Sequence, residues 1–334
     1  MIFVPNTEHN PRLNLAIETY LLKEKHFDDT VLLFYINEPS VIIGRNQNTI
    51  EEINQSYIDE HDIKVVRRLS GGGAVYHDLG NLNFSFIMPE NDHFMDFKTL
   101  TQPIIDALHQ LGIKNAEMSG RNDLLIDGKK FSGNAMYKTN GRMFCHGTLM
   151  FDSDLDVVTD ALKVRKDKIE SKGIKSVRSR VTNIKPHLPK EMQKMTTEGF
   201  EKALLHQLFH TDDLKTIPLY ILTDDDWKRI NEIADEYYCN WNWNYGQSPD
   251  FSIKKEHRYP FGLIEARMMV KQGKIEEIHF YGDFFGTEDT RELERHLVGV
   301  EYQRDAIVKA LVGVELRDFF GPMSHDDLAD LLVG

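Results

Sequence analysis

The sequence predicts an α+β fold in two parts, a larger N-terminal body and a smaller C-terminal one. Three observations carry this reading. Two turn dipeptides, Asp127-Gly128 and Asn140-Gly141, separate short strand-like segments and mark a β-meander. Segments with helical apolar spacing lie on both sides of it. An aromatic stretch, Asn240-Trp241-Asn242-Trp243-Asn244-Tyr245, runs into Gly246 and Pro249 and divides a chain of 334 residues, too long for one ordinary core.

Asn10-Pro11 opens a helix, with Asn as N-cap and Pro at the first helical position. Leu13, Ala16, Ile17, Tyr20 and Leu21 form its apolar face. Residues 31–36 and 40–44 read as strands parted by Glu38-Pro39. Residues 63–69 form a β-branched strand that reaches Arg67 and Arg68. Leu82, Phe84, Phe86 and Met88 alternate with Asn83 and Ser85, a strand period. Ile104, Ile105, Leu108 and Leu111 follow helical spacing up to Gly112. The meander spans 124–152, and helices are expected at 201–208 and 223–236. Beyond the aromatic stretch, strands at 262–270 and 274–280 turn at Gln272-Gly273. Helices at 290–297, 303–311 and 325–332 complete the chain. The expected parts are therefore residues 1–245 and 246–334.

The net charge of −13 disfavours nucleic acid as a partner, because phosphate neutralisation needs a basic face. No apolar run approaches the ~18 residues needed to span a bilayer, and residues 1–12 lack a secretory pattern. A cytoplasmic protein without membrane contact is expected, and a monomer by default. The two cysteines, Cys145 and Cys239, form no C-x-x-C pair and read as reduced thiols. Residues 163–180 depart from the acidic balance, with eight Lys or Arg against Asp167 and Glu170. A solvated basic face is the plain explanation; binding of an anion is the functional one.

The segment Arg67-Arg68-Leu69-Ser70-Gly71-Gly72-Gly73-Ala74-Val75-Tyr76-His77-Asp78 follows a strand. Three successive glycines let backbone N–H groups approach an anion or a flat ring. The two arginines bring donors suited to carboxylate or phosphate. The spacing is neither a P-loop nor a dinucleotide fingerprint. A triple glycine alone is equally a surface turn; the flanking arginines and Tyr76-His77-Asp78 favour function.

On the meander, a two-residue turn at Asp127-Gly128 pairs Lys130 with Leu125 and Asp123 with Ser132. Asp123, Lys130 and Ser132 then share one sheet face, a set able to hold Mg²⁺ and a triphosphate. An exposed salt bridge is the competing account. Across the second turn, strict register puts Cys145 and Gly147 on the Lys130 face. A bulge would put His146 there instead. The sequence leaves this open.

These motifs, with Arg121-Asn122-Asp123-Leu124, Lys130-Phe131-Ser132-Gly133-Asn134, His146-Gly147-Thr148-Leu149 and Lys172-Gly173-Ile174-Lys175-Ser176, resemble those of the lipoate–protein ligase A family. The resemblance covers nearly the whole chain. It implies a fold similar to biotin ligases and class II synthetases, a mixed sheet flanked by helices, plus a small C-terminal α/β accessory domain. It implies an ATP-dependent ligase that converts lipoate to lipoyl-AMP and transfers the lipoyl group to a lysine. Lys130 would be catalytic. Arg68, Gly73, Ala74, Val75, Tyr76, Asp123 and Lys130 would meet ATP or the adenylate, with Lys172 and Ser176 in a loop that closes over it. Arg67, Ser70, Gly71, Gly72, Gly73, His77, Lys130 and His146 would meet lipoate. Asp123 is assigned to Mg²⁺. Implied acceptors are lipoyl domains of 2-oxoacid dehydrogenase E2 subunits and the glycine cleavage H protein. The alternatives are a cysteine-dependent octanoyl or lipoyl transferase on the same fold and a non-catalytic lipoate-binding protein.

Overall fold

The computed structural model describes residues 1–162, 180–245, 253–271 and 273–333. They form two compact units. Unit 1 comprises Met1–Ile43, Thr49–Arg68 and the described residues up to Asn244. Unit 2 comprises the described residues from Tyr245 onward with two short pieces of the first half, Gly44–Asn48 and Leu69–Gly73.

Unit 1 is built on a seven-stranded sheet of order β1-β2-β6-β10-β9-β8-β7. The strands are β1 (Ile2–Val4), β2 (Val31–Ile36), β6 (Asn81–Pro89), β7 (Ala116–Ser119), β8 (Asp123–Ile126), β9 (Lys129–Thr139) and β10 (Arg142–Met150). β1 runs parallel to β2 and the other pairs are antiparallel, so the sheet is mixed. A smaller sheet places β3 (Ser40–Ile43) between β4 (Lys64–Arg67) and β5 (Val75–His77). The strands predicted at 31–36 and 40–44 and the meander all form.

One face of the large sheet carries the core. Leu32, Phe34, Phe84, Phe86, Leu124, Phe131, Met143 and Leu149 cluster with residues of two helices. Phe97–Gln110 gives Ile104, Ile105 and Leu108, and Thr197–Leu208 gives Phe200 and Leu204. The opposite face is covered by α1 (Pro11–Lys23), which packs on β6 and β10. Asn10 caps α1 by accepting the Arg12 N–H, as the Asn-Pro pair predicts. Every α1 residue from Asn14 to Leu22 is buried. Asp226, in the helix Asp224–Ile233, fixes its far end by accepting from Tyr20 and pairing with Lys25 Nζ at 3.0 Å. The single helix predicted at 223–236 divides here, passing into a π-helix over Ala234–Tyr238.

The meander departs from the predicted register at one residue. Leu125 pairs with Lys130 as expected, but Leu124 pairs with Ser132 and Asp123 with Gly133. Phe131 is the extra residue of a β-bulge, and its ring is fully buried in the core. Beyond it every side chain changes face. Ser132 therefore leaves the face of Lys130 and Asp123. Ala135 and its partner His146 join that face, while Met136 and its partner Cys145 take the other. The Asn140-Gly141 turn adds no second shift, so His146 stands on the Lys130 side and Cys145 does not.

Unit 2 holds a three-stranded antiparallel sheet of Ile253–Tyr259, Gly262–Lys271 and Lys274–Gly282. Helices Thr290–Leu297, Arg304–Ala310, Leu316–Phe320 and His325–Val333 close over one core that includes Met268, Phe280, Leu293, Phe320 and Leu332. The first strand was not foreseen, because the charged run Lys254-Lys255-Glu256 hides its period. The glycine segment belongs to this unit. The Arg45 N–H donates to the Ser70 carbonyl at 2.9 Å, and Asn46 accepts from the Gly282 N–H. A Cβ on Gly71 would stand 2.3 Å from the Phe284 carbonyl oxygen, so packing alone forbids a side chain there.

Gly147 carries a similar constraint in the large sheet. A Cβ there would meet Asn134 Oδ1 at 2.0 Å and the Phe84 ring at 2.8 Å. Gly147→Ala is expected to lower unfolding free energy by about 1–3 kcal/mol through overpacking. Urea denaturation followed by far-UV circular dichroism measures this.

Candidate active site

Lys130 and Asp123 are brought together as predicted, with Nζ and Oδ1 2.8 Å apart and both side chains partly exposed. The backbone of Lys130 is held on two sides. β8 flanks it at Leu125, and on the other side residues 180–182 add a short parallel bridge. There the Lys130 N–H donates to the Arg180 carbonyl at 2.8 Å and the Lys130 carbonyl accepts from Thr182 at 2.9 Å. The end of the basic segment therefore lies against this lysine. Lys172 and Ser176 fall outside the described residues. Gly133 keeps the space beside the lysine open: a Cβ there would be 2.9 Å from Nζ.

Between α1, the His146 side of the large sheet and the small sheet, a buried polar cluster forms. Glu18 comes from α1, Tyr35 from β2, Arg68 from just beyond β4, His77 from β5 and His146 from β10. Glu18 is 2% exposed and takes His146 Nδ1 at 2.9 Å. A carboxylate only accepts, so His146 carries its proton on Nδ1. Arg68 donates to the Ile42 carbonyl at 3.2 Å. Burial pushes its guanidinium down to about 10, against the opposing pull of Tyr35 and Glu18.

The tautomer of His77 is set by a relay of amides. Asn14 Nδ2 donates to Asn37 Oδ1 at 2.8 Å, which leaves Asn37 Nδ2 to donate to His77 Nδ1 at 2.9 Å. The ring proton must then sit on Nε2, a buried atom with no hydrogen-bond partner among the described residues. Burial, with Arg68 and His146 nearby, pushes His77 down to about 3. The ring is neutral near pH 7 and offers one donor to an incoming acceptor.

The other predicted residues are placed as follows. Val75, Tyr76 and His77 pair with Ile42, Val41 and Ser40, and Ala74 precedes them, partly exposed. Ser70 is buried, Gly72 adopts a φ of 90°, and Gly73 is partly exposed. Arg67 is buried and bonded within the protein. Its guanidinium donates to the Trp243 carbonyl at 2.8 Å and to Thr49 Oγ1 at 2.7 Å. Glu18, Tyr35, Asn37 and Asn14 complete this cluster and are not among the residues the sequence singles out. Glu18 had a signal: it is a lone carboxylate inside the apolar sequence Leu15-Ala16-Ile17 and Tyr20-Leu21-Leu22.

Cys145 is fully buried, and burial pushes its thiol well above the usual range, with Glu18 adding to the effect. Cys239 is exposed, directly after the π-helix.

Comparison with known proteins bears on this arrangement. Residues 10–209 match the family model described as lipoyl protein ligase A/B catalytic domain. The chain belongs to this lipoyl protein ligase family. Residues 248–332 of this family member also match the bacterial lipoate protein ligase C-terminus. It is 55% identical over 334 residues to lipoate-protein ligase LplJ of Bacillus subtilis (strain 168), covering 99% of this chain and 100% of that one. Two solved ligases share its fold. A bipartite lipoate protein ligase from Thermoplasma acidophilum, studied with its E2 lipoyl domain, is 29% identical. It has a TM-score of 0.63 over 75% of this chain and 98% of that one. A lipoate-protein ligase A bound with ATP is 26% identical. Its TM-score is 0.61 over 73% of this chain and 98% of that one.

His77 makes this family member acid-sensitive in a defined window. A histidine held below its unfolded value binds protons more readily when unfolded. Its contribution to stability is intact above pH ~6.5 and is lost as pH falls towards 3. Between pH 6.5 and 5 the loss from this group is roughly 2 kcal/mol. Urea unfolding at both pH values should show that slope in the wild type and a shallower one in His77→Gln.

Proposed function

We propose that this chain is a lipoate–protein ligase that forms lipoyl-AMP from lipoate and ATP, then transfers the lipoyl group to an acceptor lysine. The observation that carries the reading is the Lys130–Asp123 pair, with His146 brought to the same face of the seven-stranded sheet by the bulge at Phe131. In the first step a lipoate carboxylate oxygen bonds to the α-phosphorus of ATP and pyrophosphate leaves. Negative charge spreads over the phosphoryl oxygens, and fixed cations lower that barrier mainly by electrostatics. Lys130 bridges the carboxylate and the α-phosphate, and Asp123 holds its ammonium in place until they arrive. Arg68 is a second cation whose donors are oriented before the substrate binds. The unpartnered Nε2–H of His77 and the Glu18-oriented ring of His146 supply fixed polar groups near it. In the second step the acceptor amine attacks the acyl carbonyl, the carbon–oxygen bond to phosphate breaks, AMP leaves and the amine proton passes to solvent.

Among the described residues no group of three acidic, His or Cys side chains is placed to hold a metal. Asp123 fits as one ligand to Mg²⁺ delivered on the triphosphate, the usual manner for this ion, where it would neutralise phosphate charge. The acceptors would be lipoyl domains of E2 subunits and the glycine cleavage H protein. No helix among the described residues is long and apolar enough to cross a membrane. The two free cysteines fit a cytoplasmic setting.

A transferase that uses an acyl-cysteine needs an accessible, activated thiolate. Cys145 is buried, has a raised pKa and lies on the face away from Lys130. Pyrophosphate release dependent on lipoate tests the assignment. Lys130→Ala is expected to reduce it at least a hundredfold (about 3 kcal/mol of transition-state stabilisation) with an unchanged thermal midpoint. Cys145→Ser is expected to retain lipoylation of an E2 lipoyl domain. Wild-type pyrophosphate release from Lys130→Ala would remove the basis of the proposal.

A further inference from the structure

Arg67 and Arg68 are neighbours with different surroundings. Among the described residues β4 lies at the edge of its sheet, and the N–H and carbonyl of Arg67 face away from β3. Two side chains meet them. The Arg67 N–H donates to Asn244 Oδ1 at 2.9 Å, and its carbonyl accepts from Trp243 Nε1 at 2.8 Å. The guanidinium closes the loop, donating to the Trp243 carbonyl at 2.8 Å and to the Asn244 carbonyl at 3.3 Å. It also donates to Thr49 Oγ1 at 2.7 Å, whose hydroxyl donates to the Asn244 carbonyl at 2.6 Å. Asn244 is oriented in turn by donating from Nδ2 to the Tyr238 carbonyl at 2.7 Å. Arg67, Thr49 and Asn244 are all buried.

These residues stand where the chain leaves or re-enters unit 1. Arg68 and Asn244 are the last residues of unit 1 before two departures, and Thr49 is the first after a return. The next residue, Arg68, donates its N–H to the carbonyl of Ile43, the last residue before a third departure. Arg68 is followed within three residues by Gly71-Gly72-Gly73, the part of the chain with the least intrinsic conformational restriction. A guanidinium at the base of such a segment is held in place only if its strand end is fixed. A planar fork addressing carbonyl and hydroxyl acceptors at once is a task suited to Arg and not to Lys.

We infer that Arg67 is a positioning residue for the ligase reaction. Locked by Trp243, Asn244 and Thr49, it fixes the strand end that places Arg68. The inference rests on the ligase reading above. It also gives a role to the Asn240–Tyr245 aromatic stretch, which the reaction chemistry leaves unused.

Three variants test it: Arg67→Lys, Asn244→Ala and the double variant. Lipoate-dependent pyrophosphate release gives kcat and KM per folded enzyme, below the thermal midpoint of each variant. Hydrogen exchange of the peptide covering residues 64–78 gives a readout independent of activity. Asn244 has no role in binding substrate here, yet Asn244→Ala is expected to lower kcat on the order of tenfold, within the range of small displacements of reacting groups. It is also expected to raise exchange in that peptide. The double variant should be no more than about twofold worse than Arg67→Lys, because both changes break one lock. If Asn244→Ala fails to fold, Trp243→Phe, which deletes a single donor, replaces it in the same comparison. Wild-type kcat and KM in Asn244→Ala, with loss confined to Arg67→Lys, would mean that Arg67 touches substrate and would overturn the inference. A lowered thermal midpoint with kcat intact would overturn it equally. If the wild type releases no pyrophosphate with lipoate, the ligase reading fails, and the exchange readout still judges the anchor.

Discussion

The single extra residue at Phe131 governs what the large sheet offers on its two faces. Phe131 is drawn into the core, as an aromatic ring of its size must be. Lys130, immediately before it, stays on the opposite face beside Asp123. Without a bulge, strict alternation would carry Ser132, Cys145 and Gly147 to the lysine face. With it, Gly133, Ala135 and His146 go there, and Cys145 is closed into the protein. One inserted residue thereby separates a site built on cations and imidazoles from one built on a thiol. The change is made inside the strand, where flanking hydrogen bonds hold the new parity over the rest of β9 and β10.

The buried cluster beneath α1 is the costly part of this arrangement. Arg68 and Glu18 are both removed from water, and the charge of Glu18 is one of the influences that favour the Arg68 cation there. The neighbours are arranged so that few protonation states remain: His77 is neutral with its proton on Nε2, and His146 donates from Nδ1 to Glu18. Such a set is oriented before substrate arrives, so little reorganisation is left for the reaction itself. The polar groups come from five elements spread over much of unit 1, and α1 covers them with a helix whose middle is wholly buried.

Much of this was legible in the sequence. The turn dipeptides located the meander, and alternation gave the strand at 82–88. The pairing of Lys130 with Leu125 followed from the Asp127-Gly128 turn alone. What could not be read is equally specific. A bulge leaves no composition signature, so Ser132 was given the wrong face and His146 could not be chosen over Cys145. The two arginines look alike in sequence, and only a segment some 177 positions away distinguishes Arg67 from Arg68. The strand at Ile253–Tyr259 was hidden because its exposed positions carry charge on neighbouring residues. The motif resemblance implies the chemistry, whereas Glu18 and Asn37 orient the two histidines through contacts made only in the folded chain.

The bond between Glu18 and His146 joins residues 128 positions apart. Synthesis proceeds at roughly 5–20 residues per second, so the first helix leaves the ribosome on the order of ten seconds before its partner strand exists. Through that interval a helix whose middle is wholly buried in the folded protein lacks β10, one of the strands it packs on, and its carboxylate has no imidazole. Isolated helices of this length are marginal in water. The segment that roofs the site is therefore made early and organised late. Its docking must await β10, which makes closure of the polar cluster a non-local and intrinsically slow event of folding.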